Sequence, residues 1–407
     1  MGELRIAVIG CGVAGQASAL FLSRLGHKVT ILERFAQPAP VGAGLLLQPS
    51  GLAVLKRLGL YEDAIKAGAP VGGIDGRTVG GRRVLDLVYR DLHPTCGGLG
   101  IHRASLFDLL HRPVQAAPIE LICNAPVAAL EQDGNAVTPK GADGISYGAF
   151  DLAIVCDGAH SALRQNSTLR HRAPVYPWAC LWGVFHDPQR RFAGVLSQRF
   201  ASTQVMIGVL PVGINPADGS GDWVTLFWSL RQREIAAAPS RAALRETLLR
   251  TWPALGDLLP AADAMPAMAA ATYRDVFMPR WRQRRVLFIG DAAHGTSPQL
   301  GQGANLALLD AFHLSRSLAT GDVDQALDGF AAARRGQTAF YRLASRFLTP
   351  FYQSDFIALG SLRDLAFGTA CRFPPSRELM LSTLAGIRRS VFRCEALNAD
   401  GLLRLPA

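Results

Sequence analysis

The sequence predicts a mixed α/β fold in which a parallel-stranded βαβ unit is interleaved with an antiparallel sheet and followed by helices. Three observations carry this. Residues 4–34 run through a short apolar strand, a glycine turn, a helical pattern and a second β-branched strand. Short apolar runs ending in Asp-Gly or Gly-Asp recur at 152–158 and 286–291. Between 175 and 230 lie three apolar segments, YPWACLWGVFH, QVMIGVLPVG and DWVTLFWSL, separated by turn-rich loops such as INPADGSGD. Strands joined through helices pair in parallel, whereas apolar runs separated by turns pair antiparallel.

Composition narrows the class. With 407 residues, 49% hydrophobic and 18% charged, the chain can bury a large core, and no low-complexity linker divides it. The net charge of +10 comes from arginines scattered singly or in pairs such as Arg82-Arg83 and Arg388-Arg389, without a basic tail or an aromatic-interleaved stripe. This argues against nucleic acid and for anionic small molecules. Seven cysteines without a CxxC pair or nearby histidines predict no metal site and suit a reducing compartment. The N-terminus opens directly on a strand and no apolar run reaches spanning length, so a cytoplasmic protein without integral membrane contact, monomeric or homodimeric, is expected.

The first unit carries the clearest chemistry. Gly10, Gly12 and Gly15 form GxGxxG between strand and helix. The first glycine allows the turn, the second lets a diphosphate approach the backbone, and the third lets helix and strand pack closely. Amides at the helix start then face the diphosphate. Glu33, ending the second strand, stands where an acidic residue accepts hydrogen bonds from a ribose diol and rejects a ribose 2′-phosphate. This is a Rossmann-type cradle for NAD or FAD.

Two later signatures choose between them. FDLAIVCDGAHSALR places Asp157 and Gly158 after a buried strand, with Ser161 and Arg164 on the following turn. RRVLFIGDAAHGTSPQLGQGANLALLDAF places Gly290 and Asp291 after another, then Pro298, and then a helix beginning near Gly301-Gln302-Gly303. An aspartate at a strand end can bind a polyol hydroxyl, and the open amides of 301–305 favour the negative charge of a reduced flavin. His294 reads as a hydrogen-bonded structural residue and Asp310 as a support for the helix.

GCGVAG with Glu33, DGAHSALR and GDAAHGTSPQLGQGAN, in this order, resemble the para-hydroxybenzoate hydroxylase family of group A flavin monooxygenases. VGAGLLLQPSGLAVLKRLGL (41–60) and IHRASLFDLL (101–110) are similar to the flavin-side loop and arginine-bearing helix of its salicylate hydroxylase-like branch. The resemblance spans about 1–345 and is loosest over 170–275. It implies Gly10, Gly12, Val13, Ala14, Gly15, Glu33 and Arg34 at the adenosine diphosphate of FAD, and Gly44 and Arg103 near flavin or pyrophosphate. Asp157 and Gly158 would serve FAD and a transient NAD(P)H. Gly290 and Asp291 would hold the ribityl chain, with Ala304 and Asn305 of the helix start also binding the cofactor. Pro298, Gly301, Gln302 and Gly303 would border the isoalloxazine and the O2 pocket, mainly through backbone. The implied domains are a discontinuous FAD-binding domain (1–70, 98–172, 279–345), a substrate-binding β-sheet domain (71–97, 173–278) and a C-terminal helical region (346–407).

In that family an antiparallel sheet roofs the flavin, which makes Gln48, Trp182, Met206, Phe227 and Trp228 candidates for the substrate pocket; taken singly, each reads more readily as core packing. No general base emerges, although His102, Gln48, Tyr273 and Arg274 lie near motifs. The tail, broken at Pro350, reads as helices packed on the body. The family's cycle uses NAD(P)H to reduce FAD and O2 to form a C4a-hydroperoxyflavin that hydroxylates an aromatic or otherwise hydrophobic small molecule. No second framed GxGxxG offers a nicotinamide domain. Alternatives on the same fold are an epoxidase or Baeyer–Villiger enzyme, a prenyl-chain reductase, and a flavin-dependent halogenase, whose WxWxIP segment is missing here.

Overall fold

The computed structural model describes residues 2–39, 43–217, 219–236, 239–319 and 322–406. Its first strand, Arg5–Ile9, is apolar and buried after Arg5, as a strand covered on both faces must be. It pairs in parallel with Lys28–Leu32 on one side and with Leu152–Val155 on the other. Val286–Phe288 continues the sheet in parallel beyond Leu152–Val155, and Ile119–Ile122 extends it beyond Lys28–Leu32. The three sequence signatures therefore sit at the ends of adjacent strands. Arg282–Gln283 adds an antiparallel edge, making six strands.

The helix Val13–Arg24 follows the first strand and packs on Gly303–Leu318, with Phe21 and Phe312 edge to face at 5.9 Å. Gly303–Leu318 is buried almost throughout. The same helix therefore carries the glycine-rich start and holds the two halves of the cradle together.

A second sheet contains Ala269–Arg274, Val175–His186, Trp223–Arg231, Val205–Gly213, Gly194–Ala201, Ala69–Thr78, Gly98–His102 and Gly44–Leu47 in that order, with Arg83–Val88 paired to Ala69–Thr78. The three apolar segments at 175–230 are antiparallel neighbours in it. Period-2 alternation splits their side chains between two cores. Met206, Leu210 and Val212 join Leu46 and Tyr352 on the side of the cradle and the C-terminal helices. Ile207, Val209, Leu226 and Trp228 join Leu244 and Leu248 of the helix Arg241–Thr251 on the far side.

The tail differs from the sequence expectation in two respects. The helix Val323–Tyr352 runs through Pro350 rather than breaking there, because the proline sits only two residues from its end and costs one bond of the last turn. After the helices Ile357–Ala370 and Pro374–Leu384, residues 385–406 are not helical; they form the bridges Arg388↔Cys394 and Leu397↔Leu403 and return to the body.

Candidate active site

The cradle is defined by what its glycines touch. Gly10 has φ +104°, and a methyl group there would lie 2.7 Å from the Cys156 carbonyl oxygen. At Gly15 a methyl would lie 1.9 Å from the Gly10 carbonyl oxygen. Both are closed by backbone. Gly12 is the opposite case: it is exposed, a methyl there would meet no atom within 4 Å, and it caps the helix Val13–Arg24 without any side-chain hydrogen bond. Open space in front of unsatisfied helix amides is what a diphosphate needs.

Glu33 is buried at the end of its strand, accepting from the Cys11 amide at 2.8 Å and from the Phe35 amide at 3.1 Å. A carboxylate has about four acceptor sites, so two remain for a diol. Val13 is half-buried and Ala14 buried, while Arg34 is exposed at the mouth. Gly290 has φ +58°, and its missing side chain faces the Ala14 methyl at 3.2 Å, drawing the third signature against the first.

Arg164, fully buried, ties the second signature to the third by donating to the carbonyls of Ala292 at 2.9 Å and Ala159 at 2.7 Å. Asp157 is half-buried, and burial raises its carboxyl pKa against the opposing pull of Ser161 and Arg164. Gly158 has φ +87° and open space before it.

Asp291 is exposed and begins the short helix Asp291–His294, with its carboxylate 3.7 Å from where a Gly303 methyl would be. Pro298, Gly301 and Gly303 are exposed and Ala304 is half-buried. Gly301 adopts φ +60°, a left-handed turn that glycine takes without strain. The helix Gly303–Leu318 has no side-chain cap, so its first amides and the positive end of its dipole are open toward the groove.

Below this loop lies a network that sequence reasoning only glimpses. Asp310, fully buried, accepts from the Gly290 amide at 2.9 Å and from Arg334 Nε at 2.7 Å, and lies 2.6 Å from His294 Nε2. Burial alone would raise its pKa, but His294 and Arg334 together hold it well below the usual carboxylate range. Arg334 also bonds Gln337, whose amide donates to the Gly386 carbonyl at 2.9 Å. Arg334 comes from a helix beyond all the motifs, which is why no local pattern signals it.

Several predicted residues take other positions. Asn305 points its amide away from the groove: it accepts from the Gln48 amide at 2.8 Å and donates to the Leu46 carbonyl at 3.1 Å, clasping the strand Gly44–Leu47. Gly44 serves packing, since a methyl there would meet Val212 at 2.3 Å and Thr225 at 2.6 Å. The Gln302 amide donates to the Leu384 carbonyl at 2.7 Å, anchoring the C-terminal segment. Gln48 is fully buried and receives the Tyr89 hydroxyl, leaving its Nε2 without a partner among the described residues. Trp228 lies on the far face of the sheet, against Leu244 and Leu248, and does not border the groove. Trp182 and Phe227 pair across neighbouring strands on the near face, with Met206 beyond them. Arg103 is exposed at the start of the helix Arg103–Ala116, close enough to Tyr273 to act on it electrostatically. Val41 and Gly42 of the flavin-side loop lie outside the described residues.

The possible bases are largely committed. His102 Nδ1 accepts from the Ala104 amide at 3.2 Å as a helix cap, and burial lowers its pKa. Burial raises the Tyr273 pKa far above its ordinary value, keeping a neutral hydroxyl beside Cys180. No cluster among the described residues could hold a metal ion.

An open diphosphate cradle, a diol acceptor and a second uncapped helix end along one groove fit FAD. The family profile described as FAD binding domain matches residues 3–334. The chain belongs to this family. It is an FAD-dependent monooxygenase of the para-hydroxybenzoate hydroxylase-like class of aromatic hydroxylases. It is 26% identical over 340 residues to a probable 2-heptyl-3-hydroxy-4(1H)-quinolone synthase of Rhodococcus erythropolis, covering 79% of this chain and 81% of that one. It is 29% identical over 385 residues to 3-amino-4-hydroxybenzoate 2-monooxygenase of Streptomyces cremeus, covering 87% and 89%. Among solved structures, p-nitrophenol 4-monooxygenase of Pseudomonas putida DLL-E4 superposes with a TM-score of 0.76 at 21% identity, over 95% of this chain and all of that one. No helix among the described residues is long and apolar enough to cross a membrane.

Proposed function

We propose that the enzyme hydroxylates an apolar aromatic molecule with O2, using NAD(P)H as reductant. The reading rests on two unlike surfaces: the polar, backbone-built cradle, and the face of the large sheet that carries Met206 and Phe227, with Trp182 paired to Phe227 across the strands. FAD, when bound, supplies electron transfer from the nicotinamide and activation of oxygen.

The protein's own contributions are binding, orientation and exclusion of water. The amides after Gly12 receive the diphosphate, and Glu33 receives the ribose diol. Asp291 is placed to accept from a polyol hydroxyl, while the open end of Gly303–Leu318 faces the region where negative charge accumulates on reduction. Asp310, through the Gly290 amide and His294, holds both elements at their spacing. An aromatic substrate would lie against Phe227 and Trp182, whose apolar faces exclude water from the reacting atoms.

For the reductant, the mouth of the cradle presents Arg34, His160 and Arg274, mutually close enough to lower the His160 pKa after burial has done so. Such a cluster suits the phosphates of a transient nucleotide. The test is the absorption spectrum of the purified protein during anaerobic titration with NADH or NADPH, alone and with phenolic acids, nitrophenols or alkylquinolones. Bleaching of a flavin spectrum accelerated by one aromatic class, followed by oxygenated product on admitting air, is expected. A flavin inert to both nucleotides under every condition would overturn the proposal.

A further inference from the structure

The helix Ile357–Ala370 is folded with its polarity reversed. Its charged residues point inward: Arg363 is 0% exposed, donates to the Phe351 carbonyl at 2.9 Å, pairs with Asp364 at 2.6 Å and lies over the Phe200 ring at 4.7 Å. Its outward positions are Ile357, Ala358, Ser361, Leu362, Leu365, Ala366 and Thr369, all exposed and none charged. A helix on a soluble surface normally shows the opposite pattern.

The inward side packs on the preceding helix: Phe367, one turn after Arg363, lies tilted at 5.3 Å from Phe351, which lies 5.6 Å from Phe347. Phe347 is 67% exposed and Leu343, one turn earlier, 58%. Phe356 and Phe373, at the two ends of Ile357–Ala370, are 70% and 61% exposed. Exposed large apolar side chains concentrated on one side of a molecule are what soluble monomers normally keep few.

The rim is cationic. Arg342 and Arg346 are each one position before Leu343 and Phe347 on the same helix, and with Arg172, Asp275, Phe277 and Pro174 they line a cavity of about 320 Å³. Three guanidinium groups face one carboxylate there, and Arg342 lies over the Phe277 ring at 4.2 Å. Arg372 stands exposed before Phe373. Arg342 and Arg346 share the single Asp275 carboxylate through space, whereas Asp355 and Asp364 are paired with Arg231 and Arg363.

We propose that this face is a peripheral docking surface for an anionic phospholipid bilayer, with the aromatic and aliphatic side chains entering the interface and the arginine rim meeting lipid phosphates. An apolar face bordered by arginines, on a chain of net charge +10, matches such a surface. A second copy would bring the same excess of arginines over carboxylates and the same net charge toward itself. The helices behind the face close the core that contains Met206 and Phe227, so docking sets the aromatic side of the groove next to the lipid. An apolar substrate could then pass into the enzyme without crossing water.

The test is sedimentation of the FAD-loaded full-length protein with vesicles of phosphatidylcholine alone or mixed equally with phosphatidylglycerol. Sedimentation with the anionic vesicles is expected, falling at least ~10-fold in affinity for Arg342→Gln/Arg346→Gln/Arg372→Gln and for Leu362→Glu/Leu365→Glu. Arg342 is half-buried and the other altered positions are exposed, and an unchanged flavin spectrum and thermal transition would show that the variants remain folded. Failure of the wild type to sediment, or binding unaffected by either variant, overturns the proposal. If the wild type is instead a dimer by light scattering and Leu362→Glu/Leu365→Glu makes it monomeric, the occupant is a second copy and the bilayer proposal falls. None of these readouts depends on turnover, so they stand apart from the substrate proposal.

Discussion

The floor of the cradle and the proposed roof over it are built by opposite means. On the floor, at the ends of the parallel strands, function rests on backbone and on the absence of side chains: Gly12 leaves space, Gly10 and Gly15 allow contact, and two helix ends remain uncapped. On the proposed roof, it would rest on which side of a strand a large side chain falls. Phe227 and Trp228 are adjacent in sequence and equally aromatic, yet one joins the core of Met206 and the C-terminal helices and the other the helix Arg241–Thr251. Backbone sites leave a spacing in the sequence, whereas side-chain sites leave only a composition.

The largest effect is expected beneath the floor. Asp310→Ala would strand Arg334 and His294 in the interior and should cost about 3–5 kcal/mol in urea or thermal unfolding, with loss of flavin retention. The sign with pH follows from the depressed folded-state pKa: the stabilisation is present above the unfolded value near ~4 and is lost as pH falls toward the folded value. The difference between wild type and variant should therefore shrink on acidification below pH ~4. A difference independent of pH would remove the charge argument.

Gly15→Ala and Gly12→Val divide the floor itself. The first drives a methyl into the Gly10 carbonyl and should cost roughly 1–3 kcal/mol in the apoprotein. The second meets nothing in the protein, so apoprotein stability should change by no more than ~0.5 kcal/mol. FAD affinity should nevertheless fall at least ~10-fold by fluorescence titration, equivalent to about 1.4 kcal/mol. Equal flavin affinity in wild type and Gly12→Val would mean that the diphosphate lies elsewhere.

The roof gives the smallest and most selective effects. Phe227→Leu should raise KM for the aromatic substrate about 10-fold while leaving FAD affinity unchanged. Trp228→Leu should instead lower stability by ~1–3 kcal/mol with KM unaltered. If Trp228→Leu were the variant that changed KM, the assignment of the two faces would be reversed.

Much of this organisation is legible in the linear chain. Glycine spacing and strand-terminal Glu33 and Asp291 announce a cradle because a diphosphate and a diol impose their geometry on a short continuous segment. Asn305 and Gln302 are legible as part of a motif but not in their roles, because their amides bind the Leu46 and Leu384 carbonyls, 259 and 82 residues away. The chain does not reveal the face of Trp228, because an apolar strand buried on both faces has no polar alternation to show which side is which. Pro350 suggests a break because sequence does not reveal how near a helix is to its end.

By itself, then, the sequence determined the α/β class, the cofactor cradle and the family, all set by local steric and hydrogen-bonding demands on a few consecutive residues. Only the tertiary structure decided the pairing of Asp310 with Arg334, the face on which Phe227 lies, and the outward turn of the apolar side of Ile357–Ala370. Each of these depends on a partner distant in the chain, and burial of such a partner leaves no period or spacing from which it could be read.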